Sequence, residues 1–176
     1  MKSNILAIVL SIFTVAFTHA QKFQGLQKSP TDISYAKADR SSKPQIKVIY
    51  SRPQKKDREI FGKLVPYDKV WRTGADEATE IKFFQDVKLN NKTIKAGTYS
   101  LFTIPGKEEW TIILNSDLDS WGAYSYDKSK DITRIKVPAS TGDSLEAFSI
   151  AFKKVKDGYH MVMGWDTARV EVPFNL

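Results

Sequence analysis

TYSLFTIPGKEEWTIIL, residues 98–114, reads as two β-strands and the turn between them. TYSLFTI is crowded with aromatic and β-branched residues, which suit a pleated, half-buried surface. Pro105-Gly106 closes that run, and WTIIL (residues 110–114) returns as a second one. Working outward, the same style persists. Upstream, Ile46, Val48 and Tyr50 alternate with Gln45, Lys47 and Ile49, and Ile81 and Phe83 flank Lys82. Val87 and Leu89 lead into Asn90-Asn91-Lys92, a turn that can seat an asparagine in the left-handed region. Downstream, residues 132–137 and 145–152 are strand-like, with Phe148, Ile150 and Phe152 on one face. Asp157-Gly158 marks a turn. Tyr159, Met161, Met163 and Trp165 share a face, and so do Val170, Val172 and Phe174.

No segment keeps a 3.6-residue apolar period for three turns. Eight to ten short strands with turn signals between them point to an all-β, antiparallel β-sandwich of jelly-roll type in a single domain. Short helical turns are expected only at residues 57–62, 66–71 or 116–122. Asp32 to Ala38 is read as a first strand, with Ile33 and Tyr35 on one of its faces. Phe83, Leu101, Ile112, Phe148, Ile150, Met161, Val170 and Val172 are expected in the core.

The chain of 176 residues opens with MKSNILAIVLSIFTVAFTHA. Lys2 precedes the mainly apolar stretch 5–17, and Thr18-His19-Ala20 ends on a small residue. This is the pattern of a secretory signal, too short for a stable membrane span. The expected organisation is therefore a signal peptide at 1–20, a flexible polar segment at 21–29 and one sandwich domain at 30–176. The expected location is periplasmic or extracellular, with no membrane span after cleavage. There is no cysteine, which excludes disulfides, thiol nucleophiles, zinc–thiolate sites and a lipid-modified cysteine. The net charge is +7, or +6 with Lys2 removed. Its lysines are scattered among acids and apolar residues rather than gathered on one face, so nucleic acid is not an expected partner. Pairs such as Lys55-Lys56 read as solvated edges.

One stretch departs from this regularity. VWRTGADEATEI (residues 70–81) packs an arginine, an aspartate, two glutamates, two threonines and a glycine against the run Ile81, Phe83, Phe84. Two readings compete. In the first, Gly74 lets the loop aim Arg72, Asp76 and Glu77 at one point, joined by Arg52 and Arg58. Trp71 or Trp121 would then supply an aromatic wall, and the arginine fork would suit a small anionic or carbohydrate-like ligand. In the second, Arg72 pairs with Glu77 or Glu80 and the network locks a sharp loop onto the sandwich. An intermediate form has Glu77 hold Arg72 on one side while its other donors face a cleft.

Other chemistries find less support. After signal cleavage His160 is the one remaining histidine, which excludes a multi-histidine metal site within the chain. A calcium-loop signature and a G-x-S-x-G nucleophile turn are both absent. No metal or cofactor is expected. His160 faces away from Tyr159, Met161 and Met163 and reads as an edge residue. Trp110 and Trp165 alternate with apolar neighbours and read as core. A glycan-directed hydrolase remains the alternative to a binding domain, with Asp76 and Glu77 as acid and base.

Several stretches together carry a resemblance. They are YSRP (50–53), REIFGKLVPYDKVWRTGADEATEI (58–81), AGTYSLFTIPG (96–106), EWTIILN (109–115), Trp121-Gly122 and the closing VEVPF. In these the chain resembles the secreted bacterial family called domain of unknown function 2911, over nearly all of its mature length. The resemblance implies an exported, mainly β, single-domain protein and no particular activity. The family pattern usually reads W-R-T-G-A-N-E-A-T, whereas this chain has Asp76 in the asparagine position.

Overall fold

The computed structural model describes residues 21–176; the expected signal peptide lies outside the described residues. Among the described residues the strands are β1 (Thr31–Ala36), β2 (Ile46–Ser51), β3 (Thr79–Phe83), β4 (Val87–Leu89), β5 (Lys92–Ile94), β6 (Gly97–Ile104), β7 (Glu109–Asn115), β8 (Asp131–Val155) and β9 (Gly158–Asn175). They hydrogen-bond in the order β1-β2-β3-β6-β7-β8-β9-β4-β5, and every pairing is antiparallel. The fold is all-β, as the alternation predicts.

Alternation sets which face is inside. Ile46, Val48 and Tyr50 of β2 are buried, opposite Phe83 and Ile81 of β3. All eight expected core residues are buried, none more than 5% exposed. At the centre the sheet is covered on both sides. Trp110, Ile112 and Leu114 of β7 enter the main core, whereas Ile113 joins Phe102 and Ala78 in a smaller cluster on the opposite face. Ala123 and Tyr126, from the segment after β7, pack over that cluster. That two-sided burial explains why Ile112-Ile113-Leu114 is a continuous apolar run rather than an alternating one.

Layering comes from β8 and β9. The N-terminal part of β8 pairs with β7, and from Ala139 onward its partner is β9. The ribbon is interrupted by register shifts at Thr141/Leu145 and Leu145/Ser149. Such irregularities bend a strand and raise its twist. The bend brings the two ends of β9 together. The Leu176 N–H donates to the Asp157 carbonyl at 3.0 Å, and Glu171 meets the His160 ring. Residue 54 then bridges to Ala147, tying the segment after β2 to β8.

Two expectations need refinement. Ile33 and Tyr35 do share a face, but it is the outer one, each 43% exposed, and Ala36 points inward. The three expected helical turns are instead turns and bends. Asp57 and Gly62, Asp68, and Asp119 and Gly122 break them in turn with positive φ, which no right-handed helix accommodates. The helical turn lies elsewhere, at Lys128–Lys130, where the Asp127 side chain caps it by accepting from the Ser129 N–H.

Candidate functional site

The loop that joins Trp71 to β3 is closed at both ends by backbone. Trp71 and Thr103 exchange N–H···O bonds at 2.7 and 3.0 Å, and the Thr79 N–H donates to the Arg72 carbonyl. Its polar side chains hold the bend. Thr79 Oγ1 donates to the Thr73 carbonyl at 2.7 Å, and the Thr73 and Thr103 hydroxyls meet at 3.1 Å. Trp71 Nε1 donates to the Gly74 carbonyl. Thr73 is fully buried with φ of 56°, a strained state for a β-branched residue that survives because these bonds over-determine it. Gly74 is needed for close approach: a Cβ there would stand 2.9 Å from the Ser51 carbonyl oxygen. Asp76 has φ of 57°. Asparagine and aspartate both tolerate that left-handed conformation, which gives a backbone reason for finding either in this position.

Arg72 is held in a way the sequence does not announce. Neither expected partner, Glu77 or Glu80, pairs with it. Its Nη1 donates to the Asp76 carbonyl at 2.8 Å, and its guanidinium lies 5.9 Å from the centre of the Tyr124 ring. Glu77 is exposed and its backbone bridges to Trp121, while Glu80 sits on β3 facing away from the core. Burial pushes the Glu80 carboxyl up, and the negative charges of Asp119 and Glu77 add to the shift. Among the described residues Arg72 forms no ion pair, and its Nε and Nη2 meet no protein acceptor.

Arg72 belongs to the wall of a cleft of about 350 Å³. Trp71 and Trp165 lie at its base, their rings stacked at 6.1 Å and 17° apart. Both belong to a buried aromatic group with Phe61, Trp110 and Phe148. Lys28, Lys56, Arg58 and Arg72 line the cleft, and among the described residues no carboxylate does. Arg58 is steadied by donating to the backbone carbonyls of Lys55 and Gln54.

The other expected site residues fall elsewhere. Arg52 is spent: Nε donates to the Phe148 carbonyl at 3.1 Å, Nη1 to Asp32 at 3.0 Å and Nη2 to Ser149 at 2.8 Å. It ties β1 and β2 to β8 and does not line the cleft. Asp76 and Glu77 do not line it either. Trp121 is 61% exposed and Tyr124 84% exposed, on the Tyr124 side of Arg72. Sequence reasoning missed Lys28, Lys56 and Tyr124. An aromatic in the turn-rich run WGAYSYD was the available signal for Tyr124. Nothing in spacing links Lys28 to Lys56.

Comparison with known proteins yields a family and no fold. A family model described as "Protein of unknown function (DUF2911)" matches residues 29–174. The chain belongs to this family. No curated protein and no solved structure matches it. The DUF2911 chain has no helix among its described residues that is long and apolar enough to cross a membrane. Among those residues there is also no cluster of three or more histidines, cysteines or carboxylates that could hold a metal ion.

Proposed function

We propose that this DUF2911 chain is a non-catalytic binding domain for a small polar ligand that carries negative charge, exported by the leader at residues 1–20. The observation that supports it most is the cleft's charge. Four cationic side chains line about 350 Å³ over an indole floor, and among the described residues no carboxylate offsets them. Cations without a carboxylate partner in a concave, partly apolar site favour an anion that supplies one. Arg72 carries the reading furthest, since part of its fork is fixed by the Asp76 carbonyl and the rest is unspent. The hydrolase alternative needs two carboxylates across one cleft. Asp76 and Glu77 are not on this wall, which weighs against it.

The test is a thermal-shift screen of sugar acids, sugar phosphates and neutral sugars, followed by calorimetry. A ligand at about 100 times its Kd stabilises the protein by about 2.7 kcal/mol. Anions should shift the melt where their neutral counterparts do not, and the double change Arg72→Met, Lys56→Met should remove the shift. Retention of every shift by that variant would sink the proposal.

A further inference from the structure

The surroundings of Arg72 are sharply divided by charge. On one side is the cationic cleft. On the other is the segment after β7, whose Trp121 and Tyr124 stand out into solvent at 61% and 84% exposure. Arg72 joins the two, because it lines the cleft and its guanidinium lies against the Tyr124 ring. Beyond Arg72 itself, the charged groups placed on the aromatic side are acidic. Trp121 is bridged to Glu77, the Ala78 N–H donates to the Ser120 carbonyl, and Asp119 immediately precedes Ser120. Glu77 and Asp119 are near enough to Glu80 that their charges push its carboxyl up, after burial itself. An aromatic ring standing in solvent offers a ligand an apolar face and, at the indole N–H or phenol O–H, a polar edge.

A ligand that spans both sides must satisfy both chemistries. At the cleft it must be anionic. Over Trp121 and Tyr124 it must be uncharged, because the neighbouring carboxylates repel a second anion. There it must also present an apolar face to the rings and hydroxyl donors to Glu77 and Asp119. A pyranose does this, with C–H groups on one face and hydroxyls at its edge. Resting on the binding function proposed above, we infer that the ligand is an acidic oligosaccharide: an acid-bearing sugar sits in the cationic cleft and a neutral sugar beside it lies on Trp121 and Tyr124. The carboxylates beside the rings argue against a phosphate backbone or polyphosphate, whose charge continues at every step.

Calorimetry with three probes separates the possibilities: D-glucuronate, a disaccharide of glucuronate linked to a neutral xylose, and tripolyphosphate. The disaccharide should bind about tenfold tighter than glucuronate. The exposed pair Trp121→Ala, Tyr124→Ala should fold like the parent in a thermal melt. It should lower disaccharide affinity to the level that the same variant shows for glucuronate. Equal affinity for the mono- and disaccharide, or a double variant that keeps the difference, overturns the inference while leaving an anion-binding cleft in place. Tripolyphosphate binding that is tightest and is lost in the double variant overturns it in favour of a polyanion. Failure of all three probes to bind overturns the cleft proposal itself.

Discussion

Arg52 and Arg72 stand twenty residues apart in sequence and lead opposite lives. Around Arg52 the polar inventory closes. Each of three guanidinium nitrogens donates to a protein acceptor, drawn from β1, β8 and a main-chain carbonyl. Around Arg72 the backbone and the threonines close on themselves, and among the described residues the arginine is left with a single carbonyl partner and an aromatic neighbour. Both regions look alike in sequence, each an arginine beside strand and turn residues. The difference teaches that density of charge near a core does not mark a site. What marks it is a donor held in place with capacity unspent, opening on a concavity.

The largest expected effect falls on the residue both regions share. Phe148 gives its carbonyl to Arg52, and its ring packs against Trp71 at 5.1 Å. It is fully buried, so Phe148→Ala should cost about 3–5 kcal/mol in urea denaturation. A loss under about 1 kcal/mol would mean that the core does not couple the two regions. Next, Arg52→Met and Arg72→Met compare the arginines directly. Arg52→Met should cost about 1–2 kcal/mol, because it removes three charge-assisted bonds, of which the ion pair with Asp32 is half exposed. Arg72→Met should cost under about 1 kcal/mol. Equal losses would break the contrast.

The smallest effect lies on the acidic flank of Arg72. The Glu80 carboxyl is raised above its ordinary value of 4.5, so the folded state keeps a proton that the unfolded chain has already released. The contribution of Glu80 to stability therefore falls as pH rises past 4.5. Glu80→Gln removes that penalty. The variant should gain on the parent in thermal melts as pH goes from 4 to 7, and match it well below 4.5. A variant that loses stability at pH 7 would mean that Glu80 is paired with a cation after all.

The fold was readable because its signal is local. Side chains at i and i+2 decide which face of β2, β3 or β9 is buried, and the expected core followed from that rule. The bend of the β8/β9 ribbon was partly visible: residues 142–144, Gly-Asp-Ser, interrupt the two strand-like runs on either side. That the interruption bends a continuous ribbon, rather than separating strands by a loop, depends on the pairing with β9. The site was legible only as a neighbourhood. The stretch 70–81 drew notice for its polarity, yet most of that polarity is spent on Thr73, Thr79 and the loop closure. Arg58 was expected beside Arg72 and lines the same cleft, whereas Lys28 and Lys56 reach it from segments that the long-range topology brings together, and no local rule reports such a meeting. Arg72 was expected to choose a carboxylate but took a carbonyl, because the left-handed Asp76 turns its main chain toward the guanidinium.

The stacked indoles under the cleft also make the protein its own optical reporter. The chain has four tryptophans. Trp71 and Trp165 line the cleft and pack with Trp110, whereas Trp121 stands alone in solvent. Near-ultraviolet circular dichroism should carry a coupled signal from the buried trio, and emission from Trp121 should be separable by its redder wavelength. Iodide, an anionic quencher, would be drawn by the cations above Trp71 as well as reaching Trp121 from bulk water. Acrylamide, which is neutral, would favour Trp121 alone. The ratio of the two quenching constants thus reads the electrostatic potential inside the cleft without any knowledge of the ligand.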